Sequence, residues 1–375
     1  MKKLTDIGDV RGKYVLVRTS LNIALDGERV RDEFRLTRAL PTLRYLHEQG
    51  AKTIVLSHIG REPEETLRPV FTALEKYLPV QWGGQHTSDE FHTRRKLMGE
   101  GDILVAENLR QFPGETANDP AFVEALAALG ECYVNDAFAE AHRAHASTFG
   151  LANVLPAYVG LTFQEEMEQL AEATTPQHPA LFLIGGAKFA TKAPLIEKFM
   201  ASYDHIFIGG ALMNDVLKAL GYEVGQSLVS DVSLAGKPFL KSEKLILPVD
   251  VIVDGPNGRM SKRVDAVEPE ETIYDCGPMT IDMIATYVEK AATILWNGPF
   301  GAYELGYTQS TEITARHVAA SDAHSTIGGG DTVAAIEKLQ LNDLFDFVSI
   351  GGGSMLTYLE KGTTEVIEAL EQSDR

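Results

Sequence analysis

Four times in the second half of this chain a β-branched, apolar run ends in two or three glycines. The runs are Leu183-Ile-Gly-Gly186, Ile208-Gly-Gly210, Ile327-Gly-Gly-Gly330 and Ile350-Gly-Gly-Gly353. Glycine lets backbone or ligand approach closely, and a helix starting just after such a turn points free N–H groups at an anion. Four such turns at strand ends suggest a phosphate-rich ligand lying over backbone amides. In Ser325-Thr-Ile-Gly-Gly-Gly-Asp-Thr332 a carboxylate and a hydroxyl follow the glycines. Asp331 is placed to face a divalent cation on the bound phosphate. A plain strand-to-helix turn, capped by Asp331 or Thr332, explains the same residues. Lys188 and Lys192 follow the first turn and share a face if a helix starts there.

The first half puts cations where the second puts glycines. Polar and basic residues follow its apolar runs in Arg18-Thr-Ser-Leu-Asn22, Ser57-His-Ile-Gly-Arg61, Glu107-Asn-Leu-Arg110 and Asn135-Asp136 leading to His142-Arg-Ala-His145; Arg35 opens a helical stretch. Guanidinium forks match carboxylate and phosphate oxygens, so several converging on one cleft bind a small polyanion. The net charge of −19 weighs against nucleic acid or an anionic membrane as partner, and makes any anion site a local basic cluster.

Candidate strands are Tyr14–Arg18, Thr53–Ser57, Ile103–Ala106, Cys132–Asn135, Ala180–Ile184, His205–Ile208, Leu245–Val253, Thr293–Trp296, His324–Ile327 and Phe347–Ile350. Helical stretches such as Leu36–Gln49, Leu67–Tyr77 and Pro120–Leu129 lie between them. Non-alternating apolar strands separated by helices imply α/β architecture, with parallel sheets covered on both faces and ligands at the carboxyl ends of the strands. The 375 residues suffice for two domains, and the polar, proline-bearing Ala171–Pro179 marks a boundary. Thr162-Phe-Gln-Glu165 reads as a capping box opening a helix, with Phe163, Met167 and Leu170 on one face. That helix is a rigid connector between domains or an ordinary amphipathic helix. Cys132 and Cys276 stand far apart without a metal-binding spacing, and no apolar leader or membrane span is present, so a reducing cytoplasm is the expected setting. No GxxxxGK[ST] loop or GxGxxG turn after the first strand occurs. A two-domain phosphotransferase explains both halves at once; a non-catalytic nucleotide- or anion-binding protein is the other reading.

The chain resembles the phosphoglycerate kinases. The motifs are Tyr14-Val-Leu-Val-Arg18 with Asn22, Leu40-Pro-Thr42, Ser57-His-Ile-Gly-Arg61, Glu107-Asn-Leu-Arg110, Tyr133-Val-Asn-Asp-Ala-Phe138 and His142-Arg-Ala-His-Ala-Ser147. They continue with Gly185-Gly-Ala-Lys188 and Lys192, Leu247-Pro-Val-Asp250, Asp275-Cys-Gly-Pro278, Leu295-Trp-Asn-Gly-Pro299, Gly328-Gly-Gly-Asp-Thr332 and Gly351-Gly-Gly-Ser354. The resemblance implies two Rossmann-like three-layer αβα domains joined by a hinge helix: residues 1–161 for 3-phosphoglycerate, 162–174 as interdomain helix and linker, 175–355 for nucleotide, and a tail 356–375 returning to the first domain. It implies glycolytic, reversible phosphoryl transfer between 1,3-bisphosphoglycerate with ADP and 3-phosphoglycerate with ATP, using Mg2+, in a monomer closing about its hinge. Carried over by motif, the 3-phosphoglycerate site comprises Ser20, Leu21, Asn22, Arg35, His58, Ile59, Gly60, Arg61, Arg110 and Arg143. The nucleotide site comprises Lys192, Asn297, Glu304, Gly329, Gly330, Asp331 and Thr332, with Asp331 toward the metal. Arg35, Lys188 and Lys192 are the catalytic candidates, and the amides of Gly351, Gly352 and Gly353 stabilise the moving phosphoryl group.

The chain departs from the family pattern in four places. Ser20 stands where an aspartate is expected to accept the substrate's hydroxyl; a serine is the weaker acceptor by roughly 1 kcal/mol, so a raised KM for 3-phosphoglycerate is expected. Asn22-Ile-Ala24 lacks the usual proline, the stretch after Arg61 is shortened to Glu62-Pro-Glu-Glu-Thr66, and Gln309-Ser-Thr311 replaces a Gly-Thr pair.

Overall fold

The structure, a computed structural model, describes residues 1–31 and 33–373. The chain divides into two compact units, Met1–Glu168 with the residues from Lys361 onward, and Gln169–Glu360. The fold is mixed α/β, with a parallel six-stranded sheet in each unit.

In the first unit the strand order is Val80–Gly84, Ile103–Ala106, Lys52–Leu56, Tyr14–Thr19, Cys132–Asp136 and Ala157–Val159. Tyr14–Thr19 lies at the centre and is buried from Val15 on, which is why it reads as a continuous apolar run broken only at its end by Arg18 and Thr19. Its register sets Arg18 beside Leu56 on one side and Asn135 on the other, so the carboxyl ends of three strands finish level. The C-terminal helix Glu365–Gln372 also belongs to this unit; Thr364 caps it by accepting from the Ile367 amide, and the Val366 amide donates to the Ala141 carbonyl.

In the second unit the order is Leu245–Ile246, His205–Ile208, Ala180–Ile184, Thr293–Asn297, His324–Gly328 and Phe347–Val348. Asn297 pairs in register with Ile184 and Gly328, which brings the turns after three strands to one level. A separate antiparallel sheet joins Asp250–Asp254 to Met260–Arg263 and Thr272–Cys276.

Several expected elements change on folding. The run Leu245–Val253 is two strands in different sheets, because Pro248 has no N–H to continue a ladder. Leu36–Gln49 is also two elements, Glu33–Arg38 and Leu40–Glu48, with Pro41 in the first turn of the second helix, where a missing N–H costs nothing. The capping box at Thr162 does not form. The helix is Leu161–Thr174, and Asp136, at the end of its strand, accepts from the Thr162 and Phe163 amides at 2.9 and 3.0 Å. Thr162 instead donates to the Arg38 carbonyl, and Glu165 pairs with the Arg38 guanidinium at 2.7 Å. Phe163 and Leu170 are buried as expected, while Met167 is half-buried. The contact-defined boundary falls within this helix, between Glu168 and Gln169.

Candidate active site

In the first unit, strand ends deliver a connected polar network. Arg18 is fully buried; its Nε donates to Ser147 Oγ at 2.9 Å and one terminal nitrogen donates to the Thr19 carbonyl. The Ser147 hydroxyl donates onward to Glu115 Oε1 at 2.6 Å. Burial pushes the Glu115 carboxyl up, opposed by the Arg18 guanidinium and the Ser147 bond. The other Arg18 terminal nitrogen lies 2.7 Å from His58 Nδ1. A guanidinium can only donate, so Nδ1 accepts and the His58 proton sits on Nε2. His58 is buried, and its Nε2 has no hydrogen-bond partner among the described residues. Burial first, then Arg18, Arg110, His145 and Arg143, drive its pKa far below the ordinary value. His58 is therefore neutral, with a buried Nε2–H left over as a donor.

Gly60 knits the next two strand ends to this core. Its amide donates to Asn22 Oδ1 at 2.9 Å, and its carbonyl accepts from an Arg110 terminal nitrogen at 2.6 Å. Asn108 holds the Ile59 amide and carbonyl from the opposite side. The shortened loop after Arg61 closes on itself, with Glu65 accepting from the Arg61 and Glu62 amides at 2.6 and 2.8 Å. Leu21 is buried and its amide donates to Ser57 Oγ at 3.0 Å. Arg143 is exposed, donates to His142 Nε2 at 3.1 Å and is electrostatically felt at Arg110, His58 and His145. The pKa of His145 falls to about 4, through burial and then Arg18, Arg110 and Arg143. Arginines this close repel one another, and a polyanion relieves that repulsion.

Ser20 follows Arg18 and Thr19 at the same strand end, and its hydroxyl is engaged. It is 5% exposed and donates to Glu140 Oε2 at 2.5 Å. Arg35 is half-buried on the short helix Glu33–Arg38, and none of the bonds above involves it. The Arg61 side chain is exposed. Arg18, one of the strand-end cations expected to meet a polyanion, is instead fully buried and holds His58 and Ser147. Sequence reasoning missed Glu115 and Glu140, and nothing local marked either glutamate.

In the second unit a cleft of 740 Å³ is lined by Lys188, Met213, Asn214, Tyr274, Glu304 and Asp331, among others. Lys188 precedes the helix Phe189–Ser202 and is exposed, whereas Lys192, one turn in, is 8% exposed and donates to the Gly185 carbonyl. Burial lowers the Lys192 pKa to about 8, with Asp331 opposing. The two lysines thus differ in environment, one half of the pair being withdrawn beneath the glycine turns.

Two of those glycine turns do not face a ligand with free amides. The amides of Gly185, Gly186, Gly209 and Gly210 donate to the carbonyls of Asn297, Pro299, Ile184 and Phe300. They are spent within the fold and offer nothing to a phosphate. A Cβ at Gly185 would strike the Pro299 carbonyl oxygen, and one at Gly210 the Gly186 backbone. These glycines are needed because loop backbones cross without room for a side chain. Gly351 is likewise committed, donating to Ser349 Oγ at 3.0 Å.

The Ile327-Gly-Gly-Gly330 turn is different. The helix Gly330–Lys338 begins directly after Gly329, with no side-chain cap, so neither Asp331 nor Thr332 caps it. Its first-turn amides, Gly330 to Thr332, have no acceptor within the helix. Thr332 Oγ1 accepts from the Gly298 amide at 2.9 Å, and exposed Asp331 faces the cleft. Gly352 precedes and Gly353 opens the helix Gly353–Lys361, whose Ser354 amide is spent on the Gly351 carbonyl at 2.9 Å. Asn297 is buried, with its amide nitrogen 3.6 Å from Met355 Sδ. The Gln309-Ser-Thr311 substitution serves the fold, since Thr311 Oγ1 accepts from the Phe300 amide and Ser310 donates to Asp275.

A divalent metal fits at Asp331 as a companion of nucleotide phosphate. One carboxylate plus phosphate oxygens and water suits Mg2+, and among the described residues no three Asp, Glu, His or Cys side chains gather into a cage.

The family model described as "Phosphoglycerate kinase" matches residues 4–362. The phosphoglycerate kinase of Sinorhizobium medicae is 39% identical, with 99% of each chain covered, and that of Rubrobacter xylanophilus is 41% identical, with 94% of each covered. The solved phosphoglycerate kinase of Coxiella burnetii superposes with a TM-score of 0.83 at 36% identity, covering 99% of this chain and 98% of that one. That of Pyrococcus horikoshii gives 0.85 at 26%, covering 100% and 99%. Matched along nearly its whole length in sequence and in fold, the chain belongs to the phosphoglycerate kinase family.

Proposed function

We propose that this chain catalyses reversible phosphoryl transfer between 1,3-bisphosphoglycerate with ADP and 3-phosphoglycerate with ATP. The observation that carries the reading is the nearly full-length match to relatives named for that activity. The site chemistry agrees with it. In the first unit Arg110, Arg143 and the Nε2–H of His58 present donors to a small polyanion, and Asn22 and Gly60 fix the loop beside them. In the second unit the cleft accepts a base and ribose, with Glu304 toward the ribose, while the first-turn amides from Gly330 take phosphate oxygens.

In-line transfer needs little covalent help from the protein; it needs alignment and neutralisation of the moving group's oxygens. Lys192 supplies a cation already stripped of water, so its charge acts with little screening. Lys188 and Arg35 complete the set of cations assigned to the transferring group, and the amides of Gly352 and Gly353 add fixed donors. Mg2+, when bound with the nucleotide, neutralises phosphate charge beside Asp331. Nothing in either site favours a purely binding role.

Lys192→Ala and Arg35→Ala are each expected to lower kcat on the order of 10²-fold or more. Steady-state kinetics with both substrates decides this. Near-normal kcat in either variant removes that residue from catalysis.

A further inference from the structure

We propose that Glu140 is the group that accepts the hydrogen bond from the 2-hydroxyl of 3-phosphoglycerate, with Ser20 holding it in place. The assignment rests on the function proposed above and deepens it at a residue that the sequence motifs leave out. Glu140 closes the short turn Phe138–Glu140 after the strand Cys132–Asp136, between the two motifs of that strand end.

Donors dominate this site. Arg110, Arg143 and His58 Nε2–H have protons to give and suit the substrate's carboxylate and phosphate. The substrate itself has one donor, its hydroxyl, which needs an acceptor. Glu115 does not serve, because its two oxygens take the Ser147 amide and hydroxyl. Glu140 does serve. It is 5% exposed, one oxygen receives the Ser20 hydroxyl at 2.5 Å, and its other oxygen takes no hydrogen bond from the described residues. Its charge is felt at Arg110 and His142, which places it at the basic cluster rather than outside it.

Ser20 thus changes role. As a lone acceptor it would serve the substrate weakly; as a donor to Glu140 it fixes a carboxylate where a hydroxyl can reach it. A negative charge set against a polyanionic ligand opposes binding unless it makes a specific bond. The hydroxyl bond is that return, since a bond to a charged acceptor is the stronger kind.

The test uses two ligands, 3-phosphoglycerate and 3-phosphonooxypropanoate, which lacks the hydroxyl. Calorimetry and KM are measured for the wild type, Glu140→Gln, Ser20→Asp, and the exchanged pair Ser20→Asp with Glu140→Ser. The wild type is expected to prefer 3-phosphoglycerate by about 10-fold or more. In Glu140→Gln, where an uncharged amide oxygen replaces the carboxylate as acceptor, that preference falls several-fold while the nucleotide KM is unchanged. Ser20→Asp alone weakens 3-phosphoglycerate binding, because it sets two carboxylates in contact. The exchanged pair restores the preference, which a merely structural role for either residue would not do.

Equal weakening of both ligands in Glu140→Gln, no change in either, or improved binding in Ser20→Asp alone overturns the assignment. A wild type that binds neither ligand overturns the proposed function with it. A wild type that turns over 3-phosphoglycerate with an indifferent Glu140 overturns this assignment only.

Discussion

At the scale of single residues, the decisive contrasts are between side chains of one type in different surroundings. Lys188 is exposed and Lys192 is 8% exposed, yet the sequence presents them as a matched pair four residues apart. Burial holds the Lys192 pKa near 8, below its ordinary value. Sign follows from linkage: between about pH 8 and 10.5 the unfolded chain keeps a proton that the folded one has shed, so stability rises with pH there. Below that window the full cost of a buried ammonium is present. Lys192→Met is therefore expected to raise the thermal midpoint of the ligand-free protein at pH 7, by on the order of 2 kcal/mol of stability. The gain shrinks above pH 8 and is accompanied by loss of turnover. Calorimetric scans across pH 6 to 10 check this; a less stable variant at pH 7 contradicts it. Arg18 teaches the same lesson from the other side. Its place in an apolar strand marks it as unusual, but only the structure shows that it fixes the His58 tautomer and balances buried Glu115. Which residues bear charge was legible in the sequence; which of them are buried and paired was not.

At the scale of elements, strand ends were legible and their partners were not. The central strands announce themselves as β-branched apolar runs, and the polar residues after them do collect at one edge of the sheet. Edge strands carried little signal: Val80–Gly84 has two glycines, and Met260–Arg263 is largely polar and solvent-facing. Pro248 divided a run that hydropathy alone joins. The glycine turns were read as one device and are two. Gly185 and Gly210 let backbones cross, whereas Gly330 opens a helix whose first amides keep their donors. Capping shows why local motifs mislead, since the helix Leu161–Thr174 takes its cap from Asp136, on a strand, and not from Thr162. Burial raises the Asp136 pKa to about 7, against the pull of the Phe163 and Thr162 amides. A carboxyl whose folded pKa is raised stabilises fully below its unfolded value, and that contribution is lost as pH climbs through about 4 to 7. Asp136→Asn keeps an acceptor for both amides without the charge. Its thermal midpoint is expected to fall less than the wild type's between pH 4 and 7.5, and parallel profiles would show that Asp136 does not titrate in that range.

At the scale of the whole molecule, an acidic chain of net charge −19 gathers a basic cluster at one set of strand ends. The two units divide the work by chemistry: guanidinium groups and a neutral imidazole in one, glycine turns and a buried lysine in the other. Fold class and family were legible because the motifs recur in order along nearly the full length. The replacement of an expected aspartate by Ser20 read as a weakness, because the compensating carboxylate, Glu140, lies 120 positions away in sequence and at 2.5 Å in space. The basic cluster lies in one unit and the cleft lined by Glu304 and Asp331 in the other, and the proposed reaction draws on both. The direct measurement is a coupled assay with 3-phosphoglycerate, ATP and Mg2+, titrating each substrate in turn. The proposed activity requires turnover that saturates in both substrates and vanishes without either. Nucleotide binding by calorimetry with no turnover at any 3-phosphoglycerate concentration would contradict it.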